Sequence, residues 1–529
     1  MSSIEKRGWG PSPEPSKSEP RDFREAAKEI IPANLLDLYL KQYPQIAALG
    51  EEPIEGYTER RLSELRNGIE EENKRRIADG KEPVSISGIH ASTRDDTFSR
   101  SILEKASGRA REVGVRTDLI EVSDEEGYPD KYLVKEAAEQ IKTSDGFIIA
   151  THTERGNSMF MSMLQHELEK VDLAGKTVGF CHSFDDAEED EKFGPAVRAQ
   201  DFFESKGCII LPYTSMFAHS KGANEPWVEK EMINNGFYIA QGIERISRSP
   251  LQEYLKNPFL FDERNTRKLN KETGKYEARE NPEWIKLRGR VQTANEKRES
   301  EERKPLSVLF LLGGAGFAEG IPEQWGRGAR ISKVVAKNFE NLGFMTDTVH
   351  LPSLEIAPTS GNPNPSLVEI KKSRAGNKDA GMEKLYKKIL LADIIIFSSP
   401  VRWGVYTDAL KRMIERTTPL EVSGFLLEGK AMGTIITSGE AGAKEVELSL
   451  KQWAHHNGMF DIPFGSIKQQ LTYKKDEYPE LQEKYPDARR VAAFGASTII
   501  DFLEREGSAT KAIGTKAHNH PLSTIEYEI

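Results

Sequence analysis

The sequence predicts two consecutive doubly wound α/β domains, each on a five-stranded parallel sheet, behind a helical N-terminal extension. Three observations predict it. Five short apolar runs alternate with helical periodicities across residues 84–243, and five more do so across 306–503. The β-branched run 392–397 ends at Ser399-Pro400 and Gly404 and is followed by helical spacing at Val405, Leu410, Met413 and Ile414. A strand, a tight loop and a helix mark the ligand end of an open α/β sheet. Finally, 529 residues exceed what one core can organise. Right-handed crossovers leave few arrangements, and strand order 2-1-3-4-5 is expected in each domain.

Composition excludes several classes. With hydrophobic residues at 37% and charged residues at 30%, the chain reads as an ordinary globular protein. No apolar run is long enough to span a bilayer, and the Pro/Ser-rich start lacks a signal-peptide core, so a cytoplasmic location without a membrane partner is expected. Two cysteines, Cys181 and Cys208, cannot form a disulfide framework or a cysteine cluster. A net charge of −10, a pI near 5.7 and no basic block argue against a nucleic-acid partner. His455-His456 and His518/His520 lack partner ligands at informative spacing and read as surface histidines, so no metal site is expected.

Taken in order, residues 1–21 read as disordered. Residues 22–82 read as a helical arm, with periodic apolar residues over 23–49 and a charged stretch over 60–76. The arm either packs on a neighbour or is a solvated extension. The first domain spans 83–246, with strands at 84–89, 117–122, 146–150, 177–181 and 208–211. A charged linker at 247–304 follows, either wrapping exposed or carrying short helices. The second domain spans 305–505, with strands at 306–312, 344–351, 392–397, 431–436 and 459–462, and 506–529 is a polar tail. The long loop 352–365 is either a lid or an insertion.

Ser399-Pro400-Val401-Arg402-Trp403-Gly404, with Leu410-Lys411 and Glu415-Arg416 after it, resembles the flavin-contacting loop of the flavodoxin-like NAD(P)H-dependent FMN reductase family. Arg402 stands where that family usually has an aromatic residue. An ordinary βα loop with an exposed tryptophan is the other reading. The resemblance implies two tandem flavodoxin-like domains, each with three cofactor loops at the carboxyl ends of strands one, three and four. In the second domain it assigns Ser399, Pro400, Val401, Arg402, Trp403 and Gly404 to the ring face, and Ser438, Gly439 and Glu440 to the ring edge. Its phosphate loop departs from the family's Ser-x-Arg start; Gly314, Gly316, Arg330 and Ser332 stand in for it.

In the first domain Ser92, Arg94, Thr97 and Ser99 match the family's phosphate loop, although the same stretch reads equally as a helix cap. Asp95 and Asp96 oppose an anion there, Pro and Trp are missing from the second loop, and the third is acidic. That flavin site therefore reads as degenerate, and the tandem as an intramolecular pseudo-dimer that homo-oligomerises through its arm or not at all.

The implied function is an FMN-dependent oxidoreductase. NADPH or NADH would pass hydride to flavin N5, and a quinone, free flavin or other small acceptor would take it on. No side chain is assigned a catalytic role. Arg402 would face negative charge on the reduced ring or simply lie exposed. The cysteine count argues against the family's iron–sulfur branch. Two alternatives remain: an electron carrier without a nicotinamide site, and a non-catalytic scaffold.

Overall fold

The computed structural model describes residues 33–43, 54–91, 98–123, 130–153, 159–184, 195–219, 226–261, 267–269, 276–278, 281–314, 326–354, 356, 358, 380–418, 420, 426–439, 441–470 and 486–503. Two helices come first, α1 (Ala33–Gln42) and α2 (Ile54–Ala78). The first half alternates β1 (Ser85–Ala91), α3 (Phe98–Glu112), β2 (Arg116–Glu121), α4 (Lys131–Thr143), β3 (Gly146–Thr153), α5 (Met159–Leu168), β4 (Thr177–Phe184), α6 (Pro195–Ser205), β5 (Ile209–His219) and α7 (Pro226–Ser247). A short helix α8 (Leu251–Lys256), a ribbon β6 (Arg267–Leu269) and β7 (Tyr276–Ala278), and α9 (Pro282–Ser300) connect the halves. The second half runs β8 (Ser307–Leu312), α10 (Arg327–Leu342), β9 (Met345–His350), α11 (Ala380–Leu391), β10 (Ile394–Pro400), α12 (Asp408–Glu415), β11 (Ala431–Ser438), α13 (Ala443–His456), β12 (Phe460–Gln470) and α14 (Pro486–Ser497).

The sheet orders are β2-β1-β3-β4-β5 and β9-β8-β10-β11-β12, all parallel, which is 2-1-3-4-5 twice. The inner strands β1, β3, β4, β8, β10 and β11 are buried on both faces, as parallel strands under two helical layers must be, while the edge strands β2 and β9 are largely exposed. Ile394 and Ile396 of β10 enter one core, Ile395 and Phe397 the other. The first of these cores is continuous between the halves: Ile86 and Ile148 share it with Val308, Phe310 and Phe494.

Both fifth strands outrun expectation. The readings 208–211 and 459–462 stop where Pro212 and Pro463 stand, yet β5 and β12 continue to His219 and Gln470. Each is bulged at that point, with a register shift between Val178/Phe180 on β4 and between Met432/Thr434 on β11. Proline lacks the N–H the ladder needs, so the strand swells there and resumes beyond.

Residues 247–304 are not a plain linker. Trp284, Leu287 and Val291 of α9 are buried in the shared core at helical spacing. Asn281 caps the helix, accepting from the amides of Glu283 (2.9 Å) and Trp284 (3.3 Å), with Pro282 in the first turn. The arm is likewise covered within the chain. Leu35, Leu36, Tyr39 and Tyr43 join the second half's core, and Leu62, Leu65 and Ile69 join the shared core.

A polar clamp recurs at the amino edge of each sheet. In the second half Asp393, just ahead of β10, takes both guanidinium nitrogens of Arg298 on α9 (2.8 and 3.0 Å) and the Ser307 amide of β8 (2.8 Å). Tyr43 donates to it at 3.2 Å, and Lys430, just ahead of β11, donates to Tyr43 Oη, Leu390 O and Ala392 O at 2.7–2.9 Å. Burial pushes the Asp393 carboxyl up, but Arg298, Lys430 and the Ser307 amide together hold it below its ordinary value. Burial lowers Lys430 to about 7, with Asp393 pulling the other way. In the first half Asp145 takes Arg76 on α2 (2.8 Å) and the Ser85 amide (2.9 Å), and Lys176 donates to the carbonyls of Lys142 and Ser144. Asn73 and Asn295 add a second match, accepting from the amides of Val84 (2.7 Å) and Leu306 (2.8 Å) and donating to Gly114 O and Gly343 O. The repeated unit is thus a helix plus five strands, and α2 and α9 are equivalent.

The halves meet reciprocally. Edge strands β5 and β12 adjoin, α13 packs on β5, and α6 packs on β12. Across this seam Lys451 pairs with Glu204 and Lys444 with Asp201. Lys451 also lies 3.4 Å from Glu447 and 3.6 Å from Asp461, and His455 lies 3.1 Å from Asp461. His455, read as a surface residue, is therefore buried beside a carboxylate. Burial raises Glu204 to about 7 against the pull of Lys451. Burial would lower His455, but Asp461 and Glu204 leave it raised.

Arg298→Ala strands a buried carboxylate and is expected to cost about 3–5 kcal/mol in urea unfolding. Arg76→Ala, whose pair is partly exposed, should cost less. The folded state holds protons on Glu204 and His455 where the unfolded chain has released them. Stability should therefore fall as pH rises from about 5 to 7, and Glu204→Gln should flatten that slope in urea midpoints. A rising slope over that window would contradict it.

Candidate functional site: the carboxyl edge of the second sheet

In the second sheet the chain leaves β8 for β9 on one side and returns to β10 on the other, so β8 and β10 flank the switch point. Gly313 follows β8 and donates to Ser398 O at 2.8 Å. A Cβ there would lie 2.5 Å from Thr407 Oγ1, so only glycine fits. The next residue, Gly314, is held through its carbonyl, which accepts from His350 Nε2 at 2.8 Å. The first turn of α10 tucks under β10, since a Cβ on Gly328 would sit 2.8 Å from Ser398 Oγ. Its cap, Gly326, is extended and offers no side chain. The amides of Gly314 and Gly328 have no acceptor among the described residues, so the loop and the helix end present donors. Arg330 lies half-buried in this turn. Ser332 does not face the turn's donors: it is buried, and its hydroxyl donates to Gly328 O at 2.8 Å. Gly316 lies outside the described residues.

The second loop is a two-residue hairpin. Arg402 N donates to Val405 O (2.8 Å) and Val405 N to Arg402 O (3.1 Å). Trp403 (φ +52°) and Gly404 (φ +81°) both occupy the left-handed region that such a turn demands. For tryptophan that conformation costs about 1–2 kcal/mol, and the indole is fully exposed. Because the hairpin occupies 402–405, the following helix starts at Asp408 rather than Val405. Val401 N is taken by Thr437 O (2.8 Å), and Thr407 N by the buried Ser399 Oγ (3.2 Å). Ser399 Oγ in turn donates to Pro400 O, leaving the amides of Trp403, Gly404 and Tyr406 without acceptors among the described residues.

The third loop touches the second. Ser438 is buried at the end of β11, and Gly439 is exposed, with open space where a Cβ would stand. Glu440 lies outside the described residues. Gly442 (φ +89°) caps α13, and a Cβ on it would come within 2.8 Å of Val401 Cγ1 and 3.0 Å of Gly404 Cα.

Sequence reasoning missed two contributors. His350, at the end of β9, braces the glycine loop. Thr407 caps α12 without using its hydroxyl, and its buried Oγ1, beside Gly313, has no partner among the described residues. A glycine-walled crevice lined by an orphaned hydroxyl suits a ligand with acceptors. In the first half the equivalent loops, with Ser92, Arg94 and Thr97, lie outside the described residues, and Ser99 stands in the first turn of α3. At the neighbouring strand ends His90 Nδ1 lies 2.6 Å from Glu121 Oε1.

Comparison with known proteins matches both halves to one family model, NADPH-dependent FMN reductase, at residues 84–157 and 319–469. The chain is a tandem flavodoxin-like protein that resembles this family. An iron-sulfur flavoprotein of Methanosarcina thermophila is 28% identical over 148 residues, 27% of this chain and 75% of that protein. One from Archaeoglobus fulgidus is 25% identical over 142 residues, 26% of this chain and 67% of that protein. Among solved structures, RosB with a bound riboflavin-phosphate intermediate has a TM-score of 0.30 at 17% identity, covering 38% of this chain and 81% of that one. The Streptococcus pneumonia TIGR4 flavodoxin has a TM-score of 0.24 at 18% identity, covering 30% of this chain and 98% of that one.

FMN fits what the flavodoxin-like second half offers. A planar ring with acceptors along one edge would find amides at Trp403, Gly404 and Tyr406 that have no acceptor among the described residues. A phosphate meets amides at Gly314 and Gly328 and a helix N-terminus. The two left-handed glycines differ in a testable way. Gly404→Ala meets open space and should cost about 1–2 kcal/mol in urea unfolding. Gly442→Ala adds a clash with Val401 and the Gly404 backbone and should cost about 2–4 kcal/mol. Equal losses would contradict the contact between the loops.

Proposed function

We propose that the second half binds FMN at this crevice and that the protein is a flavin-dependent oxidoreductase. Its hydride donor is NADPH or NADH, and its acceptor a quinone, free flavin or other small molecule. The observation that carries the reading is the ring of acceptor-free amides at Trp403, Gly404 and Tyr406, beside glycine-walled Gly313-Gly314 at the switch point.

Bound FMN would supply the redox chemistry, taking up hydride and passing electrons on. The residues orient it. Backbone donors on the hairpin would hold the ring edge and stabilise negative charge developing there on reduction. Gly314, Gly328 and the α10 N-terminus favour the phosphate, with Arg330 nearby in the same turn. Arg402 sets a cation on the hairpin where the family usually has an aromatic residue. The exposed Trp403 indole leaves an apolar planar surface at the crevice mouth.

The iron–sulfur centre in the relatives' names is not part of the proposal. Such clusters take four cysteine thiolates, and this sequence holds Cys181 and Cys208 alone, both buried in the first half. No helix among the described residues is long and apolar enough to cross a membrane. The reciprocal seam supports reading the two halves as an intramolecular pseudo-dimer, with the first half as scaffold.

Flavin released per chain, and its identity, test the assignment. One FMN per chain is expected, with the visible spectrum bleached rapidly by NADPH or NADH under anaerobic conditions. Colourless protein that takes up no added FMN would favour a scaffold, and a bound flavin that neither nucleotide bleaches would favour an electron carrier.

A further inference from the structure

Helix α13 begins at the crevice and ends at the seam. Its cap, Gly442, presses against Val401 and Gly404 of the flavin hairpin. Its apolar face, Val446, Leu450 and Ala454, enters the second half's core. The remaining face carries Lys444, Glu447, Lys451 and His455, one helical stripe at intervals of three and four. That stripe is not solvated, for Glu447, Lys451 and His455 are all buried.

The stripe's partners come from three directions. Asp201 and Glu204, one turn apart on α6 of the first half, pair with Lys444 and Lys451. Asp461, early in β12, stands beside Lys451 (3.6 Å) and His455 (3.1 Å). Lys468, late in β12, bonds Glu447 at 2.6 Å. Two ion pairs to α6, seven residues apart on α13, tie two of its turns to the first half and add to the apolar contacts that seat the helix. The Lys451–Glu204 pair is largely sealed from solvent, so salt screens it weakly, whereas Lys444 and Asp201 stay partly exposed. Removing Glu204 takes away one of three carboxylates around Lys451 and leaves Glu447 and Asp461.

We propose that Asp201 and Glu204 of the first half are positioning residues for the flavin crevice of the second. They act through Lys444 and Lys451 on α13, whose first turn sets how closely the Gly442 loop approaches the Trp403 hairpin. The first half, whose second and third cofactor loops depart from the family pattern, serves as the fixed point against which that loop is held. This rests on the FMN reading for its consequence, though not for its geometry.

Two measurements on the full chain separate the two claims. In flavin-free protein at pH 8, where Glu204 is ionised, Glu204→Gln should raise amide hydrogen exchange over residues 401–406 and 437–446, as should Lys451→Gln. Lys451→Arg, which keeps a cation among Glu204, Glu447 and Asp461, should stay close to wild type. Unchanged protection in the two glutamine variants overturns the proposal whether or not flavin binds. In titrations with FMN at the same pH, Glu204→Gln should weaken binding about tenfold, while Lys451→Arg stays close to wild type. Phe261→Leu guards against a general loss of stability. It thins the shared core at Trp284 and Phe494 without touching the ions, and should lower the melting temperature while leaving FMN affinity within about twofold. If Phe261→Leu weakens FMN as much as Glu204→Gln does, the ion pairs have no positioning role. If wild type binds no FMN while the exchange pattern holds, the flavin reading fails and the coupling between halves stands.

Discussion

In each half an aspartate ahead of the third strand gathers the amino ends of its neighbours. Asp393 joins α9 through Arg298 and β8 through Ser307, and Asp145 joins α2 through Arg76 and β1 through Ser85. A lysine ahead of the fourth strand, Lys430 or Lys176, closes the helix carbonyls beside it. Parallel strands carry their ligand at the opposite edge, and register there depends on what fixes the strands at this one. With the amino edge clamped, β8, β10 and β11 emerge aligned, and their carboxyl ends can end in glycines and strained turns. The strain at Trp403 persists only because the surrounding strands over-determine it.

The same repetition extends to the seam between the halves. Each half brings a helix, five strands and a proline-bulged fifth strand to a reciprocal seam. These reciprocal contacts are what the proposed pseudo-dimer rests on. The loops then diverge. The second half keeps glycines at 313, 314, 404, 439 and 442, whereas the first half's corresponding loops are rich in acidic residues.

Much of this was legible in the sequence. The apolar strand runs, the strand order and the tandem organisation follow from periodicity and crossover handedness, and the glycine loops mark the carboxyl edge. What escaped shares one physical cause: it depends on partners distant in the chain. The Trp284, Leu287 and Val291 stripe is hidden among charges, so this stretch reads as linker or short helices and not as core. The pairs Asn73 with Arg76 and Asn295 with Arg298, each followed by a proline and a serine, were a visible repeat signal left unread. His455 and the α13 stripe read as solvated because polarity alone does not reveal a seam. In the crevice, side-chain identity marked the loops but not which amides stay open. Val401 loses its amide to Thr437, and Ser332 its hydroxyl to Gly328, through backbone geometry that no residue pattern displays.

A crystal structure of the chain grown with FMN tests the central claim most directly. Density for one flavin is expected, its ring edge against the Trp403–Tyr406 amides and its phosphate at Gly314 and the start of α10. Flavin seated only in the first half's crevice, or a second-half crevice closed by its own side chains, would contradict it.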